Sequence, residues 1–259
     1  MTGPTIVPDA AEVDRLRAAR LRVLEEIAAA CRRAGRDPAG VTLVAVSKTV
    51  PPERIAAAAA AGYEVFGENR VQEAETKVAA APDAAWHLVG PLQSNKARRA
   101  LVTFETIQSV DSAALAVRLD RLAADVRPGR VPVLLQVNVD EDAAKAGFDP
   151  ASLERDLEAI LALPRLAVGG LMTIGRLVER PEDARSTFAG LRELGGRLRG
   201  RFPSLGPDLS MGMSEDYPIA IEEGATIVRV GRALFGERPH DHDAGNDHAA
   251  EPGHAHRTG

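Results

Sequence analysis

The sequence predicts an α/β fold, a single (β/α)8 TIM barrel of parallel strands, and three observations carry that expectation. Short β-rich runs alternate with helical patterns eight times over, which requires crossover connections between parallel strands. The runs are continuously apolar rather than strictly alternating, as strands are when both faces of their sheet are covered. A chain of 259 residues also suits an eight-unit barrel built as one domain. A doubly wound open sheet would use the same elements. The G-x-G-x-x-G loop expected after its first strand is replaced here by Ser47-Lys48-Thr49-Val50-Pro51-Pro52.

In chain order, residues 9–33 read as a long amphipathic helix with Gly35 as its stop signal. Cys31 falls at helical spacing with Val13, Leu16, Leu24 and Ile27, so it reads as a packed core thiol. Strands are expected at 41–47, 63–67, 86–89, 106–110, 131–137, 166–174, 208–212 and 227–230. Helices are expected between them at 53–61, 70–80, 94–101, 112–125, 151–163, 181–201 and 214–223, with a short turn of helix at 233–235. Residues 1–40 are then an N-terminal helical segment packing on a barrel of residues 41–237. Residues 238–259 have no apolar periodicity and are dense in Asp, Gly and His, the composition of a disordered tail. Its pairs His240/His242 and His254/His256 could chelate a transition metal, but a flexible tail supplies no preformed geometry, so no metal site is expected.

Composition narrows the classes of function. Hydrophobic residues at 45% and charged residues at 27% are ordinary for a globular protein, while 3% aromatics leave Ala, Val, Leu and Ile to build the core. A net charge of −5 gives no general attraction for nucleic acid or an anionic membrane. A single cysteine rules out an internal disulfide and fits a reducing compartment. The start of the chain lacks the basic and apolar blocks of a signal peptide, and no run approaches the ~18 apolar residues of a membrane span. The expectation is a cytoplasmic monomer with neither nucleic acid nor membrane as partner.

Barrels place their functional residues at the carboxyl ends of the strands. Here those positions hold Lys48, Glu68-Asn69, Gly90-Pro91, Asp111, Asn138, Thr173, the run "SMGMSED" from Ser210 to Asp216, and "VRVGR" from Val228 to Arg232. Phosphate groups bind most often at the loops after strands seven and eight. Ser210 and Ser214 supply hydroxyls there, and Gly212 and Gly231 would let backbone N–H groups approach closely. Taken one at a time, the glycines could equally be tight turns and Ser214 a helix N-cap.

Lys48 ends an apolar strand, where burial favours a neutral, nucleophilic amine whose usual target is a carbonyl. Placed across the barrel mouth from a phosphate site, it points to a phosphate-bearing aldehyde, pyridoxal 5′-phosphate (PLP), held as a Schiff base at one end and by its phosphate at the other. Arg229, two residues before Gly231, could then donate to the pyridine nitrogen, which would make the ring a poor electron sink. The blander reading of Arg229 is an ion pair with Glu223 or another carboxylate.

The motifs "VAVSKT", "FGENRVQE", "WHLVGPLQSNK", "QVN" followed by "KAGF", "GLMTI" and "SMGMSEDYPIAIEEGATIVRVGRALFG" together resemble the pyridoxal phosphate homeostasis protein family, the YggS-like proteins, from about Val41 to Glu237. That resemblance implies a fold-type III barrel similar to the barrel domain of alanine racemase. It implies that Lys48 carries PLP, that Ser210 and the backbone amides of Gly231 and Arg232 hold the phosphate, that Arg229 faces the pyridine nitrogen, and that Asn69 lines the pocket. It further implies a role in intracellular vitamin B6 homeostasis, with apo-enzymes that use PLP as possible recipients, and no settled catalytic reaction.

A racemase on the same barrel is the alternative. It needs a second base facing Lys48 across the substrate carbon, which racemases take from a tyrosine of an additional β-domain. The only tyrosines here are Tyr63, at a strand start on the wrong face, and Tyr217, just after strand seven. A third reading, an interaction module without cofactor, is opposed by Lys48, Ser210, Arg229 and Gly231. The basic run at Asn95–Arg99 reads as a solvated helix face.

Overall fold

A computed structural model describes residues 6–142, 144–175 and 178–236. Eight parallel strands close into a barrel in the order β1 to β8: β1 Thr42–Val46, β2 Val65–Glu68, β3 Ala85–Leu88, β4 Thr106–Val110, β5 Val131–Gln136, β6 Leu166–Met172, β7 Asp208–Ser210 and β8 Ile227–Val230. The barrel expectation is met. Each strand begins within two residues of its expected start, because an apolar run bounded by polar turns leaves the ladder little freedom of register. The histidine-rich tail, and with it the expectation of disorder, lies outside the described residues.

The helices are α1 Ala10–Arg33, α2 Pro52–Ala60, α3 Val71–Glu75, α4 Ala97–Thr103, α5 Ala113–Val126, α6 Pro150–Leu161, α7 Arg185–Arg201, α8 Tyr217–Glu222 and α9 Arg232–Phe235. Asp9 caps α1 by accepting from the amides of Ala11 and Glu12, and Gly35 ends it at φ +64°, a left-handed conformation that glycine adopts without a Cβ clash. α1 buries Leu16, Val23, Ile27 and Cys31 against the barrel's outer layer, so Cys31 is a core thiol. Tyr63 donates to the Leu16 carbonyl at 3.1 Å and stacks on Phe66, which stacks in turn on Trp86. Arg36 ties the end of α1 to the Ile221 and Ala225 carbonyls.

Strand alternation divides the side chains into two cores. Phe66, Leu88, Ile107, Val133, Leu135, Leu171, Val228 and Val230 face the helices. Val44, Val46, Val65, Val89, Leu134, Met172 and Ile227 meet inside the barrel. The expected helix at 70–80 is broken: α3 stops at Glu75 and a 3-10 turn follows at Val78–Ala80, so that the side chain of Lys77 turns inward. No described helix is long and apolar enough to cross a membrane.

Candidate functional site

The alternation that turns Val44 and Val46 inward carries Lys48, half-buried, to the same side at the end of β1. The Ser47 amide still donates to the Gly67 carbonyl, and the chain then reverses, with the Val50 amide donating to the Ser47 carbonyl at 2.9 Å. Lys48 thus stands at the corner of a turn. The next residue, Thr49, has φ +67°, which a β-branched residue seldom adopts.

Strand eight is the neighbour of strand one, not its opposite. Val44 pairs with Arg229 and Ala45 with Val230. A Cβ on Gly231 would lie 3.3 Å from the Val46 carbonyl oxygen, two residues before Lys48. The expectation that Lys48 would face the glycine–serine loops across the mouth is corrected accordingly: ring closure makes the last strand adjacent to the first.

Of the two serines, it is Ser214 that reaches Gly231, accepting from its amide at 3.1 Å. Ser214 is not a helix N-cap; that position belongs to Asp216. Gly212 makes the loop's path possible, with φ +89° and a Cβ position only 2.6 Å from that of Ala220. The amides of Arg232 and Ala233, first in α9, have no acceptor earlier in their helix. The Arg232 side chain turns out to Glu215 at 2.5 Å.

Ser210 sits elsewhere. It is fully buried within the barrel, donating to Gln108 Oε1 at 2.6 Å and accepting from Arg229 at 2.7 Å. Arg229 also donates to the Thr173 carbonyl at 2.7 Å. Of the expected pairing with Glu223 or another carboxylate, Glu223 is taken by Arg185 and Arg192, and the carboxylate whose charge acts on Arg229 is Asp216. Burial pulls the Arg229 pKa down to about 10, against the opposing pull of Asp216, so the guanidinium is charged at neutral pH. Asn69 is half-buried after β2, and Gly90 lets the β3 loop lie against it: a Cβ there would be 2.5 Å from the Asn69 carbonyl oxygen.

The interior bonds run in one direction, from Arg229 to Ser210 to Gln108 and, through Gln108 Nε2 at 2.8 Å, to His87 Nδ1. His87 can end this chain only as an acceptor, hence neutral, and burial pushes its pKa down to about 4. As pH falls from 6.5 to 4 the unfolded chain takes up a proton that the folded chain refuses. The stability His87 contributes is complete above that window and lost through it, about 3 kcal/mol in all. Urea denaturation at pH 7 and pH 4.5 is expected to show a steeper loss for the wild type than for His87→Asn; equal slopes would mean that His87 is not held neutral.

A second cluster lies behind Lys48. Lys77 Nζ is 2.8 Å from the Ser47 carbonyl oxygen, 2.7 Å from Glu68 Oε1 and 2.7 Å from Glu73 Oε1. Burial pushes the Glu68 carboxyl above its ordinary range, against Lys77 and Ser47, and its Oε2 has no hydrogen-bond partner. Sequence reading missed this group because Glu73 and Lys77, four apart in an expected helix, look like an ordinary surface pair. The basic run at 95–99 does behave as a solvated face, with Arg98 on Asp125 and Arg99 on Glu75.

Both tyrosines anchor α1. Tyr217 is 1% exposed, and its hydroxyl donates to Glu26 on the outside of the barrel. No cluster of potential metal ligands occurs among the described residues.

Residues 19–239 match the family model of the alanine racemase N-terminal domain. The pyridoxal phosphate homeostasis protein of Aquifex aeolicus is 45% identical over 219 residues, covering 84% of this chain and 96% of that one. Its counterpart in Escherichia coli K12 is 40% identical over 232 residues, covering 84% and 94%. The structure of PipY from Synechococcus elongatus with PLP bound superposes with a TM-score of 0.72 at 43% identity, covering 83% of this chain and all of that one. Alanine racemase of Clostridium difficile shares the fold at 13% identity, with a TM-score of 0.67, over 58% of its own length.

Proposed function

The chain belongs to the pyridoxal phosphate homeostasis protein family, and we propose that it binds PLP and serves cellular vitamin B6 homeostasis as a carrier. The observation that carries this reading is the adjacency of Lys48 to the Ser214–Gly231 pair, an amine and an anion cradle on neighbouring strands. PLP supplies an aldehyde that condenses with a primary amine, and a phosphate that suits backbone amides and a hydroxyl. The residues present fit it: among the described residues Arg229 donates to Ser210 and Thr173, which engages two of its five N–H donors beside the site.

On this reading Lys48 is the point of attachment. Ser214 and the amide of Arg232 hold the phosphate, and the Gly231 amide, which donates to Ser214, orients that hydroxyl. Ser210 is reassigned to orient Arg229, which faces the ring nitrogen, and Asn69 lines the pocket. The reading is non-catalytic, as well as cytoplasmic. The placement of Tyr217 supports that, because it leaves Lys48 without a tyrosine facing it. Apo-enzymes that use PLP are the proposed recipients, and the carrier works as a monomer.

The test is the visible spectrum of the purified protein before and after borohydride, with mass mapping of the reduced peptide. A yellow protein modified at Lys48 and inactive in racemisation assays supports the proposal; a protein that stays colourless with added PLP overturns it. Ser214→Ala is expected to weaken PLP affinity roughly tenfold, the loss of one hydrogen bond to a charged group. Ser210→Ala is expected to act mainly on stability. A reversal of that ranking in equilibrium dialysis and thermal melts would return the phosphate to Ser210.

A further inference from the structure

We infer that Lys77 is a positioning residue for Lys48, holding the attachment lysine at its turn through bonds to the residues on either side. The inference rests on the reading of Lys48 given above. An ammonium has three donors. Those of Lys77, itself 3% exposed, go to the Ser47 carbonyl, Glu68 and Glu73. Each acceptor leads back to Lys48. The Ser47 carbonyl precedes it directly. Glu68 Oε1 accepts from the Ser47 hydroxyl at 2.7 Å. Glu73 Oε1 accepts from the Thr49 amide, immediately after Lys48.

What the clamp holds is a strained turn. A threonine at φ +67° persists only where its surroundings over-determine it. Thr49 is exposed, so packing does not fix it, and the bond from its amide to Glu73 does. Without Lys77, two carboxylates that now share one cation would face each other, and Glu73 would swing out towards solvent. Thr49 would then relax to negative φ and carry the Lys48 Cα away from the inward face. Ordinary sequence reading sees the lysine nine residues after Glu68 as a helix-surface residue; the break of α3 at Glu75 is what turns it in.

The experiment compares wild type, Lys77→Met, and Lys77→Met combined with Thr49→Gly. It reads Thr49 amide hydrogen exchange without ligand, the rate of chromophore formation with added PLP, and the melting temperature. Lys77→Met is expected to exchange faster at Thr49 and to form the chromophore roughly tenfold more slowly, the scale of a misplaced reacting group. Glycine adopts positive φ at no steric cost, so Thr49→Gly is expected to recover most of that rate. A merely structural lysine would not be rescued in this way. A folded Lys77→Met protein with wild-type rate and exchange overturns the inference, and so does a slow one that glycine fails to rescue. Should Lys77→Met not fold, Glu73→Ala, at a partly exposed position, takes its place: slower coupling with faster Thr49 exchange upholds the clamp, and no change overturns it. If the wild type takes up no PLP, the reading of Lys48 fails instead, and Thr49 exchange in the ligand-free variants still decides whether the clamp exists.

Discussion

Lys48→Ala is expected to leave a folded protein that forms no imine with PLP, and takes no borohydride-fixed label, at any concentration. The side chain is half-buried at a strand end and followed by a turn, so its truncation removes an amine without opening a cavity in either core. The chain has three other lysines, none of them placed to substitute. Lys77 is buried with all three donors engaged. Lys145 sits on Asp140 and the Ile174 carbonyl, and Lys96 lies on the 3-10 turn beyond β3. Borohydride reduction and peptide mapping of the variant decide the matter. A chromophore that survives on Lys96 or Lys145 would move the proposed attachment point and remove the argument for the proposed phosphate cradle. Phosphate-dependent binding should persist in Lys48→Ala, weakened and reversible, since Ser214 and Gly231 are untouched.

The barrel was legible because its signals are local. Eight apolar runs and the Gly35 stop signal each act within a few residues, and the structure follows them closely. Sites that depend on register between distant segments were not legible. Ser210 and Ser214 are equally plausible hydroxyls in sequence. The pairing of Ser210 with Ile227 separates them, because the same offset of 17 residues sets Ser214 level with Gly231. That places Ser210 lower in the barrel, beside Arg229. The position of Lys48 next to β8 likewise follows from ring closure, which no local pattern encodes. Lys77 was hidden by a misjudged helix: expected to run unbroken from 70 to 80, it stops after Glu75, and Lys77 reaches the buried Glu68. The chain's length does not identify the bases at its mouth, but Tyr217 does bear on them. Its hydroxyl is spent on Glu26, a contact that requires knowing where α1 packs.

Arg229→Ala is expected to lower PLP retention by roughly ten- to a hundredfold, the loss of a charge-assisted hydrogen bond to the ring, while coupling at Lys48 still proceeds at high PLP. The same substitution strips the Thr173 carbonyl and the Ser210 hydroxyl of a partner inside the barrel. Each group left unsatisfied costs about 1–3 kcal/mol, so a drop in melting temperature accompanies the loss of retention. The two effects separate in Arg229→Lys. A compact ammonium keeps the positive charge but cannot span Ser210, Thr173 and the ring with a planar fork, so this variant is expected to regain part of the stability and little of the retention. Retention measured by dialysis that tracks stability through both variants would reduce Arg229 to a structural member of the chain ending at His87. Retention lost in both, with stability partly recovered in the lysine variant, would establish the guanidinium as the ring's partner. On the proposed reading, a ring facing a guanidinium rather than a carboxylate would be held unprotonated and withdraw electrons weakly, which would suit a carrier of PLP better than an enzyme that uses it.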